Sequence, residues 1–227
     1  TLESGCKFDV STISGRGSYE LVRYGSLSGS VADVTLLTPD APMNEYTLVH
    51  NAQDKTLSLD ITGMAVWSWN TKAKNGLWQN GVVENSPLLG RALDGFLPGD
   101  MLSITSGATI TLVGELAPSV LSINSAKTVT LSVNKKTPGC LVGEGCVRIS
   151  GTGKVTLNDG NSYSGGTFIE SGSVNAKGAT SFGSGAITIS GGVLNLASKA
   201  VANDIVVQGD VLIKGGKKFA GNVTLMG

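Results

Sequence analysis

The sequence contains few of the residues from which metal sites and histidine-dependent active sites are built. Among its 227 residues are one histidine and three cysteines, and only 15% of the residues are charged. Two neighbouring thiols and one distant histidine do not give a zinc-ligand spacing. The histidine, His50, ends a strand-like run without a nucleophile motif nearby, so nothing supports a Ser/His/Asp triad. We therefore expect no metal and no cofactor.

Long apolar runs and helical patterns are also missing. No apolar stretch approaches the roughly 20 residues that a membrane-spanning helix needs, and no apolar stripe of helical period is present. The chain has 41% hydrophobic residues, 32 glycines and six prolines. This composition excludes a disordered chain or a coiled coil and is typical of a folded all-β protein.

Alternating apolar pairs recur through the second half of the chain. The pairs are Ile110/Leu112, Val129/Leu131, Val147/Ile149, Ile187/Ile189, Ile205/Val207 and Val223/Leu225. One further segment of the series ends at Ile169. Successive segments lie 18 to 20 residues apart, and alternation at period two indicates strands. A step of this length is too short for a helical hairpin repeat. It fits one coil of a β-solenoid, which buries its apolar face only by stacking on its neighbours.

The pattern divides the chain into three segments. Residues 1–64 contain strand-like runs and a hairpin turn at Asn51–Asp54, which predicts a strand-rich β-sandwich or hairpin module. Residues 65–100 form a tryptophan-containing connecting segment, and residues 101–227 form the predicted solenoid. Because the chain lacks an initiator methionine and stops just after a repeat strand, we expect it to be a fragment of a longer protein.

All three tryptophans, Trp67, Trp69 and Trp78, fall within twelve residues. On a strand, Trp67 and Trp69 point to the same face. Two interpretations are open: the rings belong to a core, or they form a platform on which sugars stack. The second interpretation makes all three candidate binding residues.

Cys140 and Cys146 flank a five-residue loop that is flexible enough to close into a disulfide bond. The alternative is a pair of free, buried thiols. Cys6 has no evident partner in the sequence. A disulfide bond between Cys140 and Cys146 would favour an exported protein.

The net charge is zero but unevenly distributed. Residues 1–126 carry seven basic and twelve acidic residues, whereas residues 127–227 carry ten basic and five acidic residues. The basic half, with the cluster of Lys214, Lys217 and Lys218, predicts attraction to polyanions such as acidic glycans or nucleic acid. Ordinary solubilising charge is the alternative, and the cluster lacks the interleaved aromatic residues of a single-strand binder.

Asp60 and Asp9 are the candidates for catalysis. Asp60 lies in Leu59–Gly63, which is one residue too long for the Asp-Thr-Gly signature of aspartic proteases, and the context of Asp9 is less similar still. Two aspartates that share one proton could hydrolyse mucin or another protein. An atypical acid hydrolase is therefore the enzymatic alternative.

Residues 150–176 resemble a known repeat family. The run from Gly151 to Ile169, GTGKVTLNDGNSYSGGTFI, is similar to the autotransporter-associated β-strand repeat, also called the passenger-associated transport repeat. In register with its motif are Asn161, Tyr163, Gly165, Gly166 and Thr167. A looser resemblance over residues 18–227 is to large secreted proteins of Gram-negative bacteria, including verrucomicrobial gut bacteria. The resemblance implies a right-handed parallel β-helix, a secreted or outer-surface location, and no shared catalytic activity.

These observations predict a scaffold or adhesin that contacts a host glycoprotein or glycan surface. Hydrolysis of mucin and binding of polyanions or nucleic acid are the alternatives. No membrane span is expected in this segment, and the sequence leaves the oligomeric state open.

Overall fold

A computed structural model describes residues 6–13, 16–38, 44–90, 93–196, 200–215 and 220–226. Within these ranges the regular structure consists of β-strands and one short 3₁₀ turn, Val31–Asp33. No helix there is long and apolar enough to span a bilayer. The chain forms two compact units, residues 1–65 with 90–94 and residues 66–89 with 95–227. The all-β class predicted from the sequence is confirmed.

The first unit contains two small sheets. In the antiparallel sheet, β5 (Thr56–Gly63) lies between β2 (Gly17–Arg23) and β4 (Asn44–Asn51). In the other sheet, β1 (Lys7–Asp9) pairs in parallel with β3 (Thr35–Leu37). Side chains from both sheets contribute to one small core.

The predicted hairpin at Asn51–Asp54 is present and joins β4 to β5. The side-chain oxygen of Asn51 accepts hydrogen bonds from the backbone N–H groups of Gln53 and Asp54, each at 3.0 Å. Asparagine favours such turns because its side chain can bond to the backbone two or three residues further on. Leu59 and Ile61 of β5 are buried in the core.

The second unit is built from strands stacked in parallel. Its described strands form sheets of nine, seven and two strands. In chain order the strands are β6 (Val66–Trp69), β7 (Asn75–Trp78), β8 (Leu88–Leu89), β9 (Met101–Ile104), β10 (Ala108–Leu112), β11 (Gly114–Leu116), β12 (Val120–Ile123), β13 (Val129–Val133), β14 (Gly139–Leu141), β15 (Cys146–Ile149), β16 (Lys154–Leu157), β17 (Thr167–Ile169), β18 (Ser173–Ala176), β19 (Ile187–Ile189), β20 (Gly192–Asn195), β21 (Ile205–Val207), β22 (Val211–Lys214) and β23 (Val223–Leu225).

The chain alternates between the sheets as it advances. The nine-stranded sheet has the order β8-β6-β9-β12-β15-β17-β19-β21-β23, and the seven-stranded sheet has the order β7-β10-β13-β16-β18-β20-β22. The two-stranded sheet, β11 with β14, adds a third side to the first coils. Among the described strands of the second unit, β8 alone runs antiparallel to its neighbour, β6. The described strands therefore have an arrangement consistent with a β-helix.

A row of branched side chains fills the interior beside the nine-stranded sheet. Each member lies in register with the next and is at most 1% exposed: Ile104, Ile123, Ile149, Ile169 and Ile189. Their neighbours along each strand point outward, because successive side chains of a strand alternate between its two faces. This alternation produces the period-two pattern in the sequence.

The register inferred from the sequence was wrong for the first two apolar pairs. Ile110/Leu112 and Val129/Leu131 belong to the seven-stranded sheet, whereas Ile149 belongs to the nine-stranded sheet, where its partner in the preceding coil is Ile123. The step from Ile123 to Ile149 is 26 residues, mainly because the turn between β13 and β14 is five residues long, whereas one residue separates β10 from β11. Both main strands of a coil alternate in the same way, so spacing alone does not assign a pair to a sheet.

Shortening one interior side chain tests which residues of a strand face the interior. Ile189 is fully buried between Ile169 and Val207. We expect Ile189→Ala to lower the free energy of unfolding by about 2–5 kcal/mol, because it removes buried methyl groups and leaves a cavity. The matched control is Thr188→Ala, on the outward face of the same strand, with an expected change of about 0.5 kcal/mol or less. Denaturant titration followed by circular dichroism measures both, and equal losses would contradict the assigned faces.

Candidate functional site

The polar turn before β17 links three consecutive coils through the side chain of Asn161. Its Oδ1 atom accepts a hydrogen bond from the backbone N–H of Leu141, 20 residues earlier, at 3.0 Å. Its Nδ2 atom donates to the carbonyl oxygen of Ser181, 20 residues later, and to that of Asn158, both at 2.9 Å. Asn161 is 4% exposed. The amide therefore connects the coils on either side through side-chain hydrogen bonds.

Tyr163 and Thr167 close the same turn. The Tyr163 hydroxyl and the Thr167 hydroxyl share a hydrogen bond of 2.6 Å, and both residues are buried. A Cβ atom at Gly165 would overlap the carbonyl oxygens of Glu144 and Gly145 in the preceding coil, and Gly166 has a φ of +87°. Glycine meets both requirements at no steric cost. These contacts give the motif residues of the repeat-like run a structural role.

The three tryptophans are interior residues. Trp67 is 6% exposed, Trp69 1% and Trp78 0%. The ring of Phe96 lies between two of them, with its centroid 5.2 Å from that of Trp78 and 6.3 Å from that of Trp67. The Trp67 indole N–H donates to the buried carboxylate of Asp100 at 2.9 Å. Buried rings offer no face to a sugar, so the geometry favours the core interpretation over the stacking platform.

The two candidate catalytic aspartates lie on different sheets of the first unit. Asp60 is on β5, where the Ser18 hydroxyl donates to it at 2.5 Å. Asp9 is on β1 and accepts hydrogen bonds from the hydroxyl and backbone N–H of Ser11, which lower the pKa of its carboxyl group. In an acid protease the two aspartates must be close enough to share one proton. The hydrolase hypothesis stays a prediction, and this placement does not favour it.

Both cysteines of the predicted disulfide bond carry free thiols and are partly buried. Cys140 lies on β14 and Cys146 begins β15. Burial, and to a lesser degree the charge of Glu115, raises the pKa of the Cys140 thiol, which lowers the thiolate fraction that disulfide exchange requires. The disulfide bond stays a prediction. Within the described ranges no group of three His, Cys, Asp or Glu residues could hold a metal ion.

The outward face of the seven-stranded sheet carries a continuous polar row. In register across successive strands are Asn75, Thr109, Thr130, Thr156, Asn175, Asn195 and Lys214. We call these seven residues the polar row. Of the three lysines in the predicted cluster, Lys214 is exposed at the end of this row, and Lys217 and Lys218 lie outside the described residues.

Sequence reasoning did not identify the polar row as a surface. Thr130 and Thr156 are 26 residues apart, whereas Thr156 and Asn175 are 19 apart, so the row has no constant period. The usable signal was indirect: in β10, β13, β16 and β18 a polar residue lies between two buried residues of the strand. Its alignment with the next coil required the register.

The comparisons with known proteins give one similarity. The chain is 30% identical over 176 residues to "Adhesin BmaC autotransporter" from Brucella suis biovar 1 (strain 1330). The match covers 78% of this chain and 5% of that protein, so the chain spans a small part of the length of its relative. No family model matches, and no solved structure matches. The chain is thus related in sequence to part of an autotransporter adhesin.

Removing the Asn161 amide tests its role between the coils. Asn161→Ala leaves the Leu141 N–H and two carbonyl oxygens without their partner, and each buried unsatisfied group costs about 1–3 kcal/mol. We expect a loss of at least about 2 kcal/mol in unfolding free energy and faster hydrogen exchange at the Leu141 amide. The control Asn134→Ala removes an exposed side chain that accepts one bond from Lys136. If the Leu141 amide stays fully protected in Asn161→Ala, the proposed link is wrong.

Alkaline titration tests the burial of Tyr163. Burial raises the pKa of Tyr163 well above its usual value; the Thr167 hydrogen bond opposes this rise and the Cys146 charge adds slightly to it. Above about pH 10 the unfolded chain loses the phenolic proton while the folded chain keeps it, so the unfolding free energy should fall by up to about 1.4 kcal/mol per pH unit. Denaturant titrations between pH 9 and 11 should show a shallower decline for Tyr163→Phe. Equal slopes in the two proteins would contradict this expectation.

Proposed function

We propose that this chain is part of a surface-displayed or secreted protein of a Gram-negative bacterium and acts there as a scaffold or adhesin. The observation that carries the proposal is its similarity to an autotransporter adhesin over 78% of the chain. The stacked second unit supports it, since such stacks present extended surfaces to partners. The interior rows are apolar and the polar row faces outward, so binding would use the outward faces.

We further propose that the second unit is a right-handed parallel β-helix built from autotransporter-associated repeats. Strand-to-strand crossovers within one parallel sheet are nearly always right-handed. The contacts of Asn161 and Tyr163 give a structural reason for their place in the repeat motif. A verrucomicrobial source remains part of the proposal, as does a host glycoprotein or glycan surface, including mucin, as the partner.

An adhesion assay tests the proposed function. Beads coated with the folded chain should adhere to epithelial monolayers or immobilised mucin several-fold more than beads coated with the same chain after irreversible unfolding. Adherence should depend on the fold because the outward rows exist only when the coils stack. Bound beads are counted after washing at physiological salt. Equal adherence of folded and unfolded chain would refute the proposal.

The double variant Asp9→Asn/Asp60→Asn separates adhesion from hydrolysis. It should adhere like the unmodified chain, because both residues lie in the first unit and outside the stacked sheets. Release of mucin fragments at acid pH by the unmodified chain, abolished in this variant, would establish the hydrolase in place of the adhesin.

A further inference from the structure

A shallow cleft of about 230 Å³ opens on the outward face of β16, β18 and β20. It is lined by Lys154, Thr156, Asn175, Ala176, Lys177 and Asn195. Three members of the polar row, Thr156, Asn175 and Asn195, cross it on adjacent strands in register. Neighbouring strands lie about 4.8 Å apart, so the three side chains present polar groups at regular intervals across three coils.

The two lysines stand on opposite flanks of this row. Lys154 is two residues before Thr156, and Lys177 is two residues after Asn175. Lys154 and Thr156 are both on β16, where residues two apart share a face and are separated by about 7 Å. Lys177 directly follows the last residue of β18, Ala176. Both lysines are exposed, whereas Thr156 is only 7% exposed although it points outward. The face is therefore concave here, with the threonine on its floor and the ammonium groups at its margins.

The cleft carries uncompensated positive charge. No carboxylate lines it, and in the described part of the chain neither Lys154 nor Lys177 has an ion-pair partner. An ammonium group donates three hydrogen bonds and attracts sulfate or carboxylate groups. Asparagine amides and threonine hydroxyls offer donors and acceptors together, which suits the hydroxyl groups of a sugar.

The lining also excludes other ligand classes. It holds no aromatic ring, and binding of single-stranded nucleic acid depends on aromatic side chains on which bases stack. The polar row continues beyond the cleft to Asn75 on one side and Lys214 on the other, over about 29 Å at one strand spacing per step. A linear polymer with hydroxyl groups and regularly spaced anionic groups matches this surface better than a single small anion does.

We propose that the cleft binds a linear acidic polysaccharide, with Lys154 and Lys177 contacting its sulfate or carboxylate groups and Asn175 and Asn195 its hydroxyl groups. The inference rests on the proposed adhesin function and names the ligand class and the site. It assigns the contacts to Lys154, Asn175, Lys177 and Asn195 rather than to Lys217 and Lys218.

Binding of dextran sulfate to the full chain, measured by biolayer interferometry, tests the site. Uncharged dextran serves as the neutral probe and single-stranded DNA as the competing class. The unmodified chain should bind dextran sulfate, with affinity that falls as salt rises because bound counterions are released, and should not bind dextran. Lys154→Ala/Lys177→Ala should weaken binding about tenfold or more, equivalent to about 1.4 kcal/mol.

The matched control is Lys135→Ala/Lys136→Ala, which removes the same charge from an exposed turn outside the cleft and should change affinity less than about twofold. Asn175→Asp keeps the size of the side chain and places a negative charge in the cleft; it should also weaken binding about tenfold. Circular dichroism and thermal unfolding confirm that each variant is folded. Should the lysine pair misfold, Asn175→Asp decides the result.

If the chain binds dextran sulfate, three outcomes overturn the site. One is equal weakening by the two lysine pairs, the second is weakening only by Lys217→Ala/Lys218→Ala, and the third is tighter binding of DNA than of dextran sulfate. If the chain binds no acidic polysaccharide while the coated beads still adhere, the site is wrong and the adhesin function stands. If the chain binds no acidic polysaccharide and the coated beads do not adhere, both proposals fail.

Discussion

The second unit depends on one constraint: each short strand must find a parallel partner in the same register in the coil before it and the coil after it. A strand of three to five residues cannot bury its apolar side chains or pair its backbone alone. The inward row from Ile104 to Ile189 satisfies the first need and the ladder hydrogen bonds satisfy the second. Where the third side of the coil lacks a strand, the Asn161 amide adds hydrogen bonds to the backbone bonds between the coils.

This constraint explains which parts of the fold were predictable. Alternating apolar pairs are a direct consequence of stacking, so the strands and the hairpin at Asn51–Asp54 could be identified from the sequence. The register could not be identified from the sequence, because both main strands of a coil show the same alternation of apolar residues. The 26-residue step also hid the point at which the apolar pairs pass from the seven-stranded to the nine-stranded sheet. For the same reason the polar row, whose members share no constant spacing, became visible only when the strands were paired.

Burial separates the candidate binding residues into two groups, the interior tryptophans and the exposed lysines. The spacing of the tryptophans is equally compatible with a core and with a binding platform, because the sequence does not show how deeply a side chain is buried. In the structure, contacts with Phe96 and Asp100 hold the tryptophan rings in the interior. Lysines, in contrast, are almost never buried without a partner, so Lys154 and Lys177 could be assigned to the surface from the sequence. Their common cleft required the coils to bring together two residues 23 positions apart, one on β16 and the other just after β18.

Stacking also explains how a chain with a rigid interior can present a variable surface. Every inward position is constrained by the coil on either side. The polar turn before β17 is constrained by the hydrogen bonds of Asn161 and by its glycines. Outward positions of the described strands contact solvent and their neighbours in the row, so a threonine, an asparagine or a lysine can occupy them at little cost in stability. A change from Asn195 to Lys214 between adjacent coils alters charge without altering the backbone. The binding proposed for this protein would therefore take its specificity from the outward rows, where substitution leaves the stack intact.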